Sequence, residues 1–276
     1  MPGTLYVLGT PIGNISDITL RALDILSEVD FIAAEDTRVT LKLLNKYDIK
    51  KPLVSYHDHS SRLCAEGIIS RLAAGENGAV VTDAGMPCIS DPGENLVRIC
   101  YEKNIDVKVV PGASAVVSAL AISGLNTSRF TFEGFLSVTK KQRFEHLESL
   151  RDEKRTMIFY EAPHKLRNTL DDLYRTLGDR KIALCRELTK IHEEVIKGTL
   201  SEMIERYKEI TPRGEYVLIV EGKQKSQENE EITLLDAALM AKELADSGTK
   251  PSDACRQIAS KTPFSKSEIY KKYLEL

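Results

Sequence analysis

Short apolar runs alternate with segments of helical periodicity through the first half of the 276-residue chain. The runs predict five strands, at residues 5–8, 31–34, 53–56, 79–82 and 107–110. The segments between them predict four helices, at residues 19–27, 39–46, 62–73 and 94–102. Almost continuously apolar runs, such as the one containing Val80 and Val81, are typical of strands covered on both faces. The alternation therefore predicts an N-terminal α/β domain over residues 1–122, with a parallel sheet and helices on both sides.

The pattern changes after Gly124, where aromatic residues surround Gly134. Three further runs predict strands, at residues 157–160, 182–185 and 216–220. Two helices are predicted, a basic amphipathic one at 140–150 and another at 165–176. These elements indicate a second α/β domain over residues 123–222, with the boundary in the polar segment 123–129.

A polar, charged segment at residues 222–231 predicts a linker. Three short helix patterns follow it, at residues 234–246, 252–260 and 266–273, and Ser252 and Ser265 are the expected N-caps. Short helices with tight turns are typical of a helix-turn-helix, here over residues 232–276. A small helical cap that only packs on the rest of the protein is the alternative.

Composition narrows the classes of function. The net charge of −3 gives no global positive field toward nucleic acid, so RNA would be met by local patches. The five cysteines form no CxxC pair and the histidines form no HExxH motif, so we expect reduced thiols and no metal site. Without a signal peptide pattern or an apolar run of about 20 residues, a cytoplasmic protein with no membrane partner is expected.

Distinctive loops follow the predicted strands of the first domain. GTPIGN at residues 9–14 is rich in glycine, and AEDTR at 34–38 places two acids and an arginine at a carboxyl strand end. Open α/β sheets bind ligands at this edge. A tight turn explains the first loop equally well, and a helix N-cap with a local ion pair explains the second.

The segment TDAGMPCISDPG at residues 82–93 is the most restrictive loop. Its two prolines and two glycines fix one backbone path, which is unusual for a mere connector and predicts a binding loop. VPGASA at residues 110–115 opens a helix of small residues whose first N–H groups are free. Close packing of helix on sheet is the alternative there.

The second domain carries similar polar loops. FYEAPHK at residues 159–165 and RELTKIHEE at 186–194 follow strands and mix acids with bases, and RGEY at 213–216 precedes the last strand. Surface ion pairs explain any one of these loops. Their recurrence at strand ends predicts a cleft that faces the first domain.

Taken together, LGTPIGN, AEDTR, TDAGMPCISDPG, VPGASA, FYEAPHK and RELTKIHEE resemble the tetrapyrrole methylase superfamily, the class III S-adenosylmethionine methyltransferases. Within it they resemble the branch of ribosomal RNA small-subunit methyltransferases I, over residues 4–222. The C-terminal helices resemble the helix-turn-helix unit appended in that branch. Tetrapyrrole-modifying members carry a GDP-type loop where this chain has Asp83-Ala84-Gly85, which argues against a corrin or porphyrin substrate.

The resemblance implies two α/β domains with S-adenosylmethionine bound between them, usually in a homodimer. It further implies 2′-O-methylation of a cytidine in the decoding region of 16S rRNA, with the small ribosomal subunit as partner. A small-molecule methyltransferase of the same fold and a catalytically silent RNA-binding assembly factor are the alternatives.

The expected roles fall into three sets. The residues expected to bind the cofactor are Leu8, Pro11, Asp83, Gly85, Met86, Ser114, Ala115 and Tyr160. Those expected to bind the substrate are Arg38, His164, Arg186, Lys271 and Lys272. Proton handling is expected of Glu187, Lys190 or Glu35, and the sequence does not choose among these three. No general acid is needed, because the leaving group is a neutral thioether, and no metal is expected.

Overall fold

The computed structural model describes residues 1–57, 62–224 and 233–276. The chain divides into two compact units, Met1–Lys223 and Gln224–Leu276. Most of the predicted linker, residues 225–231, lies outside the described residues. The division of the first unit into two domains near residue 122 stays a prediction, although each of its two sheets lies entirely on one side of that point.

A five-stranded parallel sheet forms the first half of the first unit, in the order β3-β2-β4-β1-β5. Its strands are β1 (Thr4–Leu8), β2 (Phe31–Ala34), β3 (Leu53–Ser55), β4 (Gly78–Val81) and β5 (Asp106–Val110). Its helices are α1 (Leu20–Glu28), α2 (Thr37–Lys46), α3 (Arg62–Ala73), α4 (Glu94–Glu102) and α5 (Ala115–Ser123).

Alternate strand residues of this sheet belong to two different cores. Ala33 and Val80 pack with α3 and α4, whereas their chain neighbours Ala34 and Val81 pack with α1 and α2. Successive side chains of a strand point to opposite faces, so helices cover both sides of the sheet. The predicted α/β architecture is therefore confirmed.

The second half of the first unit is built on a mixed sheet, in the order β6-β7-β10-β8-β9. Its strands are β6 (Phe130–Phe135), β7 (Thr156–Glu161), β8 (Lys181–Arg186), β9 (Glu194–Thr199) and β10 (Tyr216–Val220). Its helices are α6 (Lys140–Ser149), α7 (Leu166–Leu177) and α8 (Leu200–Glu209). Strands β6 and β7 are parallel, and the other pairs are antiparallel.

The second unit consists of three short helices, α9 (Leu234–Asp246), α10 (Pro251–Ala259) and α11 (Lys266–Tyr273). Ala237, Ala241, Cys255 and Ile269 form its core. Among the described residues, no helix has the length and apolar character needed to cross a membrane.

The expected caps of α10 and α11 have different outcomes. Ser265 is the N-cap of α11 and forms a capping box with Glu268, as predicted. The N-cap expected at Ser252 is wrong, because α10 starts one residue earlier at Pro251, with Lys250 at the cap position. Proline fixes a backbone angle that suits the first position of a helix, and this preference prevails over the serine.

Candidate active site

The strand order of the first sheet brings three of the predicted loops together. Because β1 lies between β4 and β5, the loops that follow these strands meet at one edge. Thr10 and Gly85 exchange two backbone hydrogen bonds, of 2.9 and 3.1 Å. The Thr10 hydroxyl also donates to the Thr82 carbonyl at 3.1 Å, and Gly9 N–H donates to the Val110 carbonyl at 3.0 Å. The three loops therefore form one continuous surface.

Glycine is required where these loops touch. A Cβ on Gly9 would lie 2.8 Å from Gly112 Cα and 2.6 Å from Met86 Sδ, closer than real contacts allow. Gly85 has a φ of 89°, a left-handed conformation that other residues adopt with strain. The surface is therefore bare backbone at its centre, where a ligand can approach closely.

The second sheet contributes its own loops through an antiparallel arrangement. Strand β10 runs opposite to β7 and β8, so its first residue, Tyr216, pairs with their last residues, Glu161 and Arg186. Glu215, just before β10, is thereby placed beside Glu187, just after β8. Glu187 N–H donates to the Glu215 carbonyl at 3.0 Å, and Glu215 N–H donates to Glu187 Oε1 at 3.0 Å.

A cavity of about 650 Å³ lies between these two sets of loops, and we call it the main cavity because both sets line it. The first half of the unit lines it with Gly85, Met86, Ser114 and Ala115, and the second half with Tyr160, His164 and Glu215 among others. Its volume falls within the roughly 300–1,000 Å³ of small-molecule sites.

One wall of the main cavity is aromatic. The Tyr160 ring packs against Phe132 at 5.0 Å and Phe135 at 5.4 Å between ring centroids. Burial, helped by the negative charge of Asp91, raises the pKa of the Tyr160 hydroxyl to about 12. The hydroxyl therefore stays protonated at neutral pH and can donate a hydrogen bond to a ligand.

A second, smaller recess of about 410 Å³ adjoins the main cavity, and we call it the side recess. Both are lined by Ile12, Ala84 and Glu215, so these three residues form their common border. Asp83 and Lys190 line the side recess.

Lys190 lies at the centre of a charged network at this border. Its Nζ is 3.0 Å from Glu187 Oε1 and 2.9 Å from Glu215 Oε2. Partial burial alone would lower the pKa of Lys190, but the hydrogen bonds to Glu215 and Glu187 outweigh burial and raise it. Partial burial also opposes the charge of Glu187, yet the hydrogen bonds from Lys190 and the Glu215 N–H lower the pKa of Glu187. Lys190 and Glu187 are therefore both charged at neutral pH.

Glycines shape this network from both halves of the unit. A Cβ on Gly13 would lie 2.6 Å from Lys190 Cγ, and one on Gly214 would lie 2.6 Å from the Glu187 side chain. The loop after β1 is thus in direct contact with the loop that carries Lys190.

The acids of the AEDTR loop hold the Asp83 loop in place. Glu35 accepts hydrogen bonds from the Thr82 hydroxyl at 2.5 Å and from Asp83 N–H at 3.2 Å. Asp83 Oδ1 in turn accepts from Asp36 N–H at 3.1 Å. Burial and the charge of Glu35 raise the pKa of Asp83. Asp36 caps α2 and pairs with Arg38 at 2.6 Å, so the N-cap with a local ion pair, the alternative that the sequence left open, is present.

The residues singled out from the sequence are distributed over several places. The main cavity is lined by Gly85, Met86, Ser114, Ala115, Tyr160 and His164. The side recess is lined by Pro11, Asp83 and Lys190. Leu8 is fully buried in the sheet core, Arg38 is exposed on α2, and Arg186 pairs with Glu194 at 3.1 Å. Lys271 and Lys272 lie on α11 of the second unit.

Glu215 was not among the site residues predicted from the sequence, although it lines both the main cavity and the side recess. The RGEY segment around it was grouped with the loops of the predicted cleft, but its part in the charged network depends on the antiparallel direction of β10. An acid directly before a buried strand was the only signal in the sequence.

Comparison with known proteins defines the class. The family model for Tetrapyrrole (Corrin/Porphyrin) Methylases matches residues 4–204. The chain therefore belongs to this family, which confirms the expected class of enzyme, a methyltransferase, and its methyl donor, S-adenosylmethionine.

Within the class, the chain is similar to proteins named "Ribosomal RNA small subunit methyltransferase I". It is 46% identical to the one from Halalkalibacterium halodurans over 273 residues, which are 98% of this chain and 94% of that protein. It is 47% identical to the Synechocystis protein, over 99% of this chain and 98% of the relative. The Thermotoga maritima protein is 48% identical and matches over its full length, covering 80% of this chain.

Solved structures show the same fold. The methyltransferase CobJ superposes with a TM-score of 0.61 at 17% identity, over 80% of this chain and 94% of that chain. Uroporphyrin-III-C-methyltransferase from Thermus thermophilus superposes with a TM-score of 0.56 at 19% identity, over 79% and 94%. At this identity the likeness concerns the fold alone.

Proposed function

We propose that this chain transfers a methyl group from S-adenosylmethionine to the ribose 2′-hydroxyl of a cytidine in the decoding region of 16S rRNA. Relatives that share 46–48% of its residues carry the name of an rRNA small-subunit methyltransferase, which supports the substrate class. The observation that carries the chemistry is the charged network at the border of two adjoining cavities. The nucleotide and the ribose position come from the resemblance.

The main cavity fits the cofactor. Its floor is bare backbone around Gly85, and Ser114 leaves the first N–H groups of α5 without a side-chain cap. Its far wall offers the aromatic ring of Tyr160 to a flat ligand. We therefore assign cofactor binding to Gly85, Met86, Ser114, Ala115 and Tyr160. S-adenosylmethionine supplies a methyl group that a positively charged sulfur makes electrophilic.

The network fits removal of the hydroxyl proton. Lys190 is held as a cation by Glu187 and Glu215, so it stabilises negative charge on the attacking oxygen rather than taking its proton. The Glu215 side chain is 81% exposed and lines both cavities, which supports it as the group that accepts the proton. We assign proton acceptance to Glu215, and the positioning of Lys190 to Glu187. Glu35 acts indirectly, because it holds the Asp83 loop.

The second unit offers a docking surface for RNA. Residues 250–276 contain six basic and three acidic residues, on a chain of net charge −3. Lys271 is exposed, and the rings of Tyr270 and Tyr273 stack at 6.1 Å. Lysine binds phosphates and tyrosine stacks on unpaired bases. Lys272 is also bonded to Glu275, so we expect Lys271 to contribute more to RNA binding.

The test of this function is a methylation assay with purified protein and radiolabelled S-adenosylmethionine. Bare 16S rRNA, 30S subunits and a porphyrinoid are offered in parallel, and the product is mapped for ribose methylation. Label in one 16S cytidine is expected, and that methyl group should be missing in cells without the protein. Label in the porphyrinoid would instead support the small-molecule alternative. Absence of cofactor binding in calorimetry would support the silent assembly factor.

A further inference from the structure

The side recess is a site that the assignments above leave without an occupant. It shares Ile12, Ala84 and Glu215 with the main cavity, so a ligand in one cavity borders a ligand in the other. Methyl transfer requires the acceptor oxygen close to the methyl group and in line with the bond that breaks. With the cofactor in the main cavity, the acceptor oxygen belongs at this common border, beside Lys190 and Glu215.

We infer that the side recess receives a single unstacked cytidine of the RNA, whose base faces the Asp83 carboxylate. This inference rests on the proposed function, and it adds how the nucleotide is held and recognised.

The walls of the recess suit a nucleobase. Besides Ile12 and Ala84 at the common border, four apolar side chains line it, namely Pro11, Ile15, Val39 and Leu43. Val39 on α2 is 38% exposed, and its exposed side chain lines the side recess. Apolar side chains left open to water in a recess are covered favourably by the flat face of a base.

The polar groups of the recess distinguish the bases. Asp83 Oδ1 accepts the Asp36 N–H, and no hydrogen bond to Asp83 Oδ2 is seen among the described residues. A carboxylate accepts hydrogen bonds but donates none when ionised, so it pairs with the amino group of cytosine and not with the O4 of uracil. Lys42 also lines the recess and is exposed, which suits a neighbouring phosphate.

The size of the recess restricts the state of the RNA. At about 410 Å³ it has room for one nucleoside rather than a base pair. The target must therefore leave its stack and any pairing before the 2′-oxygen reaches Lys190. Sequence-specific recognition of RNA commonly uses unpaired bases in this way.

The first test fills the recess from α2. Val39→Trp places an indole at the recess, whereas Leu41→Trp puts the same group two residues along the helix, at an exposed position outside the recess. We expect Val39→Trp to reduce methylation of 30S subunits by on the order of 10-fold or more, with unchanged S-adenosylmethionine affinity in calorimetry. Leu41→Trp should methylate like the wild type. Equal rates for the two variants would overturn the recess as the acceptor site while leaving the proposed function intact.

The second test reads base recognition by Asp83. Subunits reconstituted with cytidine or uridine at the mapped position are methylated by the wild type and by Asp83→Asn. The wild type should prefer cytidine by on the order of 10-fold, and the variant should lose that preference. A retained preference would overturn the role of Asp83 in reading the base. Loss of S-adenosylmethionine affinity in the variant would instead support the sequence-based expectation that Asp83 binds the cofactor. If the wild type methylates neither RNA, the proposed function itself fails.

Discussion

Replacing Lys190 by methionine removes the cation at the cavity border and keeps the aliphatic stem. The structure predicts a small loss of stability and a large loss of turnover. Lys190 is 31% exposed and its partner Glu215 is 81% exposed, so their ion pair contributes only about 0–1 kcal/mol to folding. Removing one group that stabilises a developing oxyanion typically lowers turnover by about 10²–10³-fold. Cofactor affinity should be unchanged, because Lys190 lines the recess rather than the main cavity.

The assay is single-turnover methylation of 30S subunits, with calorimetry for S-adenosylmethionine and thermal unfolding as controls. Lys197→Met is the matched variant, since it removes an exposed lysine on β9. A Lys190→Met enzyme that turns over within about threefold of wild type would contradict the role assigned to Lys190, since one well-placed electrostatic contact is worth far more.

The stability difference between wild type and Lys190→Met depends on pH through the shifted pKa values of Lys190 and Glu187. The pKa of Lys190 is raised, so its contribution to stability is complete below 10.5 and is lost as pH rises through the folded-state value. The pKa of Glu187 is lowered, so its contribution is complete above 4.5 and is lost as pH falls through the folded-state value. The stability difference between wild type and Lys190→Met should therefore stay constant between roughly pH 5 and pH 10.

Two further substitutions test the loops and the second unit. Gly9→Ala should lower the free energy of unfolding by about 1–3 kcal/mol and weaken cofactor binding, because the added Cβ would lie 2.8 Å from Gly112 Cα. Gly67→Ala on α3, where a Cβ meets nothing within 4 Å, should stabilise the protein instead. Lys271→Glu should weaken RNA binding, and the slope of the logarithm of the binding constant against the logarithm of the salt concentration should become shallower by about 0.7–0.9 per lost phosphate contact. Lys103→Glu makes the same charge change on the first unit and should have neither effect.

The strands of the first sheet were predicted to within about one residue at each end. Their signal is strong because both faces are buried, which makes the runs continuously apolar, as in the fully buried Gly78–Val81. The second sheet was harder to predict at its edges. Strand β9 (Glu194–Thr199) carries charged residues and is only partly buried, so no apolar run marks it.

Helix α8 was missed although its start carries a recognisable signal. Thr199 and Glu202 form a capping box, and threonine followed three residues later by glutamate is its sequence signature.

The site was predictable only in part for another reason. The loops could be selected by composition, but which loops touch depends on strand order and direction. Glu215 acquires its position from the antiparallel course of β10, which no local pattern encodes.

The two cavities should be coupled, because one loop borders both. Ile12 lines the main cavity and the side recess, and the adjoining Gly13 packs against Lys190 with no room for a Cβ. A cofactor that fixes this loop therefore also fixes the wall on which the cytidine must lie. We expect S-adenosylmethionine to tighten binding of 30S subunits, and by linkage the RNA must tighten cofactor binding by the same factor. Replacing Gly13 by alanine should displace the loop from Lys190 and reduce that factor more than it reduces affinity for the cofactor alone. Equal RNA affinities with and without cofactor would show that the loop is already rigid and that the two sites bind independently.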